Sequence, residues 1–169
     1  PAGKAGDVLV KVVDNSVAAF LEYRNAAAPK ALEAAAQAIL QTWRQHQRIV
    51  FFGAGNSGMV ADDAQHKFFR LGLTSMSCSD GHVQLMNAAL LRRGDCAVVI
   101  SNSGLTRDLI TAAELARQAG ATTIAITASN SPLAKACAIH LAADHPEGYD
   151  LYSPMVSRLL HLLIIDVLV

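Results

Sequence analysis

The chain has 169 residues, the size of one domain, and its 52% of hydrophobic residues is enough for a core that needs no stabilising disulfide or metal. Lysine plus arginine and aspartate plus glutamate both number 14, so the segment has no basic excess of the kind that drives nucleic-acid binding, and by itself it is not expected to bind DNA. The 3 cysteines lie far apart with no C-x-x-C pair, which argues against a disulfide framework or zinc site and is typical of free thiols in a reducing cytoplasm.

Two helices are predicted before any strand. Apolar residues from Val8 to Leu21 recur at helical spacing, and a second helix begins near Pro29 and keeps one apolar face as far as Trp43. From Arg48 onward, short apolar runs alternate with helical patterns. Strands are predicted at residues 49–52, 75–78, 97–100, 122–127 and 139–142, and helices at 59–71, 82–90, 107–119 and from 132.

This alternation predicts a flavodoxin-like α/β fold, a three-layer α/β/α sandwich with a five-stranded parallel sheet in the order 2-1-3-4-5. A last helix begins at Ser153 and Pro154, after a long polar connection over residues 144–150. Its apolar run over residues 159–169 is broken by His161 and Asp166 and is too short to span a bilayer, so no membrane partner is expected. Since the chain begins at Pro1 without methionine and stops within an apolar pattern, we expect it to derive from a longer protein.

The segment after the third predicted strand has the composition of a phosphate-binding loop. Its residues are Ser101, Asn102, Ser103, Gly104, Leu105 and Thr106. Gly104 allows close backbone approach to a ligand, and the N-terminus of the following helix favours an anion. The loop therefore predicts binding of a phosphorylated small molecule.

A second glycine-rich turn, Gly53 to Gly58, follows the first predicted strand and contains Gly55, Asn56 and Ser57. It reads G-x-G-x-x-G, and Asp80 lies at about the distance that the dinucleotide-binding fingerprint requires, so a nicotinamide cofactor is an alternative. Serine, asparagine and glycine are also ordinary residues of turns and helix caps, so each loop alone is weak support for a site.

The predicted strand order brings the two loops together, because strands one and three are neighbours in the order 2-1-3-4-5. Their loops then face one crevice, which would receive one side-chain amide and four hydroxyls. These belong to Asn56, Ser57, Ser101, Ser103 and Thr106. That set suits a sugar phosphate better than a pyrophosphate, so no cofactor is expected. No metal is expected either, because His66, His140, His145 and His161 lack H-x-x-x-H spacing or a nearby cysteine pair.

The two loops, the two leading helices and the five short strands resemble the SIS (sugar isomerase) domain, whose second loop usually reads Ser-x-Ser-Gly-x-Thr. The resemblance covers nearly the whole of residues 1–169, which we expect to form a single SIS domain. A narrower resemblance is to the effector domain of HexR-type regulators in the RpiR family. The matching segments are residues 64–72, 79–82, 142–150 and 152–158.

The narrower resemblance implies a sensor and not an enzyme. In that family an N-terminal helix-turn-helix domain binds DNA, and it would precede Pro1 here, so DNA is expected as a partner only through that missing domain. The implied effector is the phosphorylated sugar acid 2-keto-3-deoxy-6-phosphogluconate, and the controlled genes belong to central sugar metabolism. The apolar surface of the leading and closing helices and the resemblance both predict a homodimer or larger homo-oligomer.

The alternative function is a sugar-phosphate aldose-ketose isomerase, since SIS folds also serve in such enzymes. Isomerisation requires a base, and Asp80 and His82 after the second strand are the candidates. Both are ordinary turn and first-turn residues, and we expect them to act as hydrogen-bond partners of a sugar hydroxyl or carboxylate. Lys67 lies in a charged helix segment that is most simply a solvated or subunit-facing surface, although it is also a candidate contact for an anion.

Overall fold

The computed structural model describes residues 3–145 and 154–169, which form an α/β fold with two helices before the first strand. The helices are α1 (Lys4–Ala26), α2 (Pro29–Arg44), α3 (Asn56–Arg70), α4 (Gly81–Ala89), α5 (Arg107–Gln118), α6 (Pro132–Ala136) and α7 (Pro154–Leu168). The strands are β1 (Arg48–Phe52), β2 (Thr74–Cys78), β3 (Cys96–Ile100), β4 (Thr122–Thr127) and β5 (Ile139–Ala142).

The strands form one parallel sheet in the order β2-β1-β3-β4-β5, which confirms the predicted fold. At the carboxyl end of β1, Phe52 lies opposite Cys78 of β2 on one side and Val99 of β3 on the other. The segments that follow β1 and β3 therefore leave the sheet side by side. This adjacency is what the two-loop site requires.

The sheet has a separate apolar core on each face, because consecutive strand residues point to opposite sides. On one face Phe51, Val98 and Ile126 pack with buried side chains of α2, α3 and α7. On the other face Phe52 and Val99 pack with α4, α5 and α6. The helices thus form two outer layers, with α7 over the same face as α3.

The start of α3 differs from its prediction, whereas the start of α7 agrees with it. Helix α3 begins at Asn56 and not at residue 59, because the turn closes immediately after β1 and Gly55 precedes the helix with a φ of 57°. Helix α7 begins at Pro154 as predicted. The proposed cap Ser153 and most of the polar connection over residues 144–150 lie outside the described residues.

The amino end of the sheet is held by a buried carboxylate. Asp95 is 2% exposed, and its oxygens accept hydrogen bonds from the Arg48 backbone N–H at 3.2 Å, the Arg48 Nε at 3.1 Å and the Arg92 backbone N–H at 2.7 Å. Each of the two carboxylate oxygens is therefore partnered. This cluster joins the start of β1 to the turn before β3.

Helix α1 packs against α7 and leaves many large apolar side chains uncovered. Leu9 is 64% exposed and Val10 is 59% exposed, and Val8, Val13, Val17 and Leu21 are also exposed.

Among the described residues, no helix is both long and apolar enough to cross a membrane.

Candidate functional site

A cavity of about 260 Å³ lies at the carboxyl ends of β1 and β3. One part of its wall comes from the two loops after these strands, and the other comes from α7. We call these parts the loop wall and the α7 wall. The loop wall consists of Ala54, Asn56, Ser57, Ser101, Asn102, Ser103 and Thr106, and the α7 wall consists of Ser157, Arg158 and His161.

The first loop is fixed tightly against the start of α3. A Cβ atom on Gly53 would lie 2.3 Å from the carbonyl oxygen of Ser57, so only glycine permits this turn. The buried Gln84 side chain donates to the carbonyl oxygens of Gly53 at 3.1 Å and Cys78 at 2.9 Å. These contacts set the position of Ser57 at the start of α3, where helix geometry favours bound anions.

The second loop is organised by its own hydroxyls. The Oγ of Ser101 accepts from the Gly104 N–H at 3.0 Å, and the Oγ of Ser103 accepts from the Leu105 N–H at 3.1 Å. A hydroxyl that accepts one hydrogen bond still has its own hydrogen to donate. The two serines are therefore oriented by the loop and keep a donor for an anionic ligand.

Gly104, although part of the second loop, is buried and does not line the cavity. It has a φ of 70°, and a Cβ atom there would lie 2.2 Å from Ser131 Oγ and 2.8 Å from Thr127 Oγ1. Packing against the residues that precede α6 is thus a sufficient reason for glycine at this position. The loop then presents Ser103 to the cavity and Gly104 to the protein interior.

The α7 wall contributes groups of a different kind. The side-chain Nε of Arg158 and the Nε2 of His161 are both buried, and neither has a hydrogen-bond partner within the described residues. Arg158 and His161 lie three positions apart, which places them on the same face of a helix. Arg158 is also the only cationic side chain among the described residues that line the cavity.

His161 is 2% exposed, and burial lowers the pKa of its imidazole to about 4. The cause is the loss of solvation for the charged form. At neutral pH the ring is therefore uncharged, so it serves as a hydrogen-bond donor or acceptor and adds no second positive charge to the cavity.

The structure separates the ten predicted ligand residues into groups. Those that line the cavity are Asn56, Ser57, Ser101, Asn102, Ser103 and Thr106. Gly55 lies between two lining residues at the start of α3, with open space on the side where a Cβ would be. Asp80 and His82 follow β2 and do not line the cavity, and the Asp80 carboxylate caps α4 by accepting from the Val83 N–H at 3.0 Å. His82 is exposed in the first turn of α4.

Sequence reasoning did not assign Ser157, Arg158 and His161 to the site. A signal was present, since these polar residues interrupt an apolar helix at spacings of three and four and so share one face. Their distance in sequence from both loops concealed their proximity. Only the packing of α7 over the end of the sheet shows it.

Lys67 is engaged away from the cavity. Its ammonium pairs with Asp63 at 2.8 Å and with Asp166 of α7, and these two carboxylates, Asp166 foremost, raise the pKa of the lysine. The pair with Asp166 joins α3 to α7. Within residues 3–145 and 154–169, no cluster of three or more histidine, cysteine, aspartate or glutamate side chains is arranged to hold a metal ion.

A protein-family model described as the SIS domain matches residues 43–169. The chain belongs to the SIS domain family. The match covers the whole sheet and both walls of the cavity, and it begins near the end of α2. The predicted SIS resemblance is thus confirmed.

Two curated relatives are similar over nearly the whole chain. The Bifunctional protein glk of Burkholderia orbicola is 43% identical over 164 residues, which is 97% of this chain and 25% of that protein. The HTH-type transcriptional regulator HexR of Pseudomonas aeruginosa is 40% identical over 158 residues, which is 94% of this chain and 54% of that protein. The chain therefore spans about a quarter of the first relative and about half of the second.

Solved structures agree with this assignment. The Vibrio vulnificus NanR protein complexed with ManNAc-6P superposes with a TM-score of 0.87 at 26% identity, covering 99% of this chain and 61% of NanR. The sugar isomerase domain of an RpiR transcription factor from Sphaerobacter thermophilus gives 0.79 at 28% identity, covering 93% and 87%. Phosphoheptose isomerase GmhA from Neisseria gonorrhoeae gives 0.82 at 20% identity over 98% and 96%, which shows a shared fold.

Proposed function

We propose that this SIS domain is the sugar-phosphate sensor of a transcriptional regulator, and that its effector is 2-keto-3-deoxy-6-phosphogluconate. The observation that carries the proposal is the loop wall. It combines oriented serine hydroxyls with the beginnings of two helices, α3 and α5, at one point of the sheet. That combination matches the donors that a phosphate ester requires.

The phosphate would be held by neutral donors. Ser57 lies in the first turn of α3, Thr106 directly precedes α5, and Ser101 and Ser103 lie in the loop between β3 and α5 and line the same cavity. Hydrogen bonds to a charged acceptor contribute about 1.5 to 3 kcal/mol each, so a few such donors are enough for micromolar binding. Asp80 and His82 would contact a ligand that extends from the cavity toward the end of β2.

The relatives support a regulatory role for the full protein. HexR of P. aeruginosa is named as an HTH-type transcriptional regulator, and the NanR structure contains a sugar phosphate. We propose that residues 1–169 form one SIS domain of such a protein, cytoplasmic and preceded by a helix-turn-helix domain that contacts DNA. The genes it controls would then belong to central sugar metabolism, as the HexR resemblance implies.

The exposed apolar face of α1 supports a homodimer as the working form. An apolar stripe of this kind on a helix is typical of a surface that another chain covers. Since α1 packs on α7 and α7 lines the cavity, a ligand that contacts α7 has a direct path to the dimer contact. Effector binding would then favour one dimer arrangement by its higher affinity for it.

The isomerase alternative places different demands on the cavity. It needs a base beside the carbon-bound proton. Among the described lining residues, His161 is the one side chain with a basic nitrogen that can act as a general base, and burial makes it a weak base by lowering its pKa to about 4. This arrangement favours binding over proton abstraction.

Isothermal titration calorimetry tests the proposal. Wild-type protein should bind 2-keto-3-deoxy-6-phosphogluconate, and Ser57→Ala or Ser103→Ala should each weaken binding by about 10- to 150-fold. Ser75→Ala removes a hydroxyl from the edge strand β2, outside the cavity, and serves as the matched control with unchanged affinity. Absence of binding to any sugar phosphate would refute the proposal.

Two further measurements separate the alternatives. A nicotinamide-dinucleotide enzyme would gain thermal stability with NAD and not with sugar phosphates. An isomerase would convert aldose phosphates to ketose phosphates, which is detected by NMR. We expect stabilisation by sugar phosphates alone and no conversion.

A further inference from the structure

We propose that the α7 wall is a second subsite for the effector, in which Arg158 pairs with the carboxylate of a phosphorylated sugar acid and His161 Nε2 hydrogen-bonds a neighbouring hydroxyl or keto oxygen. The inference rests on the proposed function and deepens it, since it divides the ligand between the two walls. It assigns the phosphate to the loop wall and the acid end to α7.

Two buried polar atoms of the α7 wall have no partner within residues 3–145 and 154–169. Arg158 Nε and His161 Nε2 are buried, and no described residue offers either of them a hydrogen bond. Such atoms are rare in native proteins, because burial without a partner is unfavourable by about 1 to 3 kcal/mol. Both residues border the same cavity, so one ligand can supply both missing partners.

The two walls of the cavity differ in charge. The lining side chains of the loop wall are uncharged, and Arg158 is the only cation among the described lining residues. A phosphate already satisfied by hydroxyls and helix starts does not require the guanidinium. A planar guanidinium matches a carboxylate through paired hydrogen bonds, which fits it to a second anionic group on the same ligand.

Arg158 and His161 of the α7 wall differ in charge at neutral pH. Burial keeps the His161 ring uncharged at neutral pH, with a pKa of about 4. A neutral ring suits a hydroxyl or keto oxygen and adds little attraction for an anion. One charged and one neutral partner, three positions apart on α7, match a carboxylate that is bonded to an oxygen-bearing carbon.

The experiment compares an acid and a neutral ligand on the same variants. Calorimetry is performed with 2-keto-3-deoxy-6-phosphogluconate and with fructose 6-phosphate, which has a phosphate and no carboxylate. Wild type should prefer the acid. Arg158→Gln should weaken the acid by about 10- to 150-fold and change fructose 6-phosphate by less than about 2-fold.

Two more conservative variants distinguish loss of a ligand contact from loss of the folded structure. Arg158→Lys retains the charge and loses the planar fork, so it should weaken the acid selectively and by less than Arg158→Gln. His161→Phe retains ring volume and removes the polar atom, and it should weaken the acid by about 2- to 10-fold. Circular dichroism and the melting temperature confirm that each variant is folded.

The outcomes distinguish this inference from the proposed function. If wild type binds no sugar phosphate, both fail. If wild type binds both ligands equally, or if Arg158→Gln weakens them equally or not at all, the proposed function stands and the carboxylate subsite is refuted. Unchanged acid affinity in His161→Phe would remove the histidine from the subsite.

Discussion

The two ends of the sheet treat buried polar groups in opposite ways. At the amino end, Asp95 is buried and both of its carboxylate oxygens accept hydrogen bonds from Arg48 and Arg92. At the carboxyl end, Arg158 and His161 each bury a nitrogen that has no partner within the described residues. A polar group that is satisfied within the chain stabilises the fold, whereas one left unsatisfied beside a cavity is available to a ligand.

Charge alone does not distinguish the two ends of the sheet as ligand sites. The amino end carries a concave surface lined by His46, Arg48 and Arg92, yet its buried charge is already paired. The described lining of the carboxyl-end cavity has one charged side chain, Arg158, and two buried nitrogens without a partner among the described residues. Charge density at a surface is therefore less informative here than the state of each hydrogen-bonding atom.

The largest effect is expected at the amino end. Asp95→Ala should lower the free energy of unfolding by about 2 to 6 kcal/mol, because the part-buried backbone N–H groups of Arg48 and Arg92 lose their acceptor at about 1 to 3 kcal/mol each and the Arg48 side chain loses its ion pair. Urea denaturation measures this change. If the two ends of the sheet are independent, the sugar-phosphate affinity of the folded fraction should stay unchanged. A parallel loss of affinity would show that the amino end also contributes to ligand binding.

The next effect concerns His161 and pH. Its pKa is about 4 in the folded protein against 6.5 for the ordinary side chain, so the unfolded chain binds more protons between these values. Stability should therefore be complete above pH 6.5 and decrease as the pH falls toward 4, by up to about 3 kcal/mol. Urea denaturation at several pH values should show this slope in wild type.

The matched variant for the pH experiment is His161→Phe, which has no group to titrate. Its stability should depend less steeply on pH over the same range. An identical slope in wild type and variant would show that His161 is not the titrating group.

A smaller effect distinguishes two glycines of the first loop. Gly53→Ala places a Cβ 2.3 Å from the Ser57 carbonyl oxygen, so it should destabilise the fold by about 1 to 3 kcal/mol and displace Ser57. Gly55→Ala meets no atom within 4 Å, and only its φ of 57° is unfavourable, by about 1 kcal/mol. Thermal denaturation and calorimetry should show the greater loss of stability and affinity in Gly53→Ala.

The smallest effect is expected at Lys67. Lys67→Ala breaks half-exposed ion pairs with Asp63 and Asp166, which contribute about 0 to 1 kcal/mol. Sugar-phosphate affinity should not change, since the ammonium is engaged between α3 and α7 and does not line the cavity. A marked loss of affinity would restore Lys67 as a contact for the anion.

Local sequence patterns were sufficient for the sheet and for the loop wall. Strands β1 and β3 contain short apolar runs, and a glycine- and hydroxyl-containing turn follows each of them. Since parallel strands with right-handed connections allow few arrangements, the order 2-1-3-4-5 and the meeting of the two loops followed from these patterns. The sequence pattern predicts the start of α3 three residues late, because Asn56 and Ser57 are residue types typical of turns and yet lie in the helix.

What the sequence by itself determined was the fold, the family and the residues of the loop wall, because these depend on spacing between near neighbours. Only the tertiary structure decided that α7 completes the cavity with Arg158 and His161, and that Lys67 pairs with Asp166 instead. The physical reason is that a helix over one face of a sheet is positioned by packing with residues distant in sequence, and whether a buried nitrogen finds a partner depends on that packing.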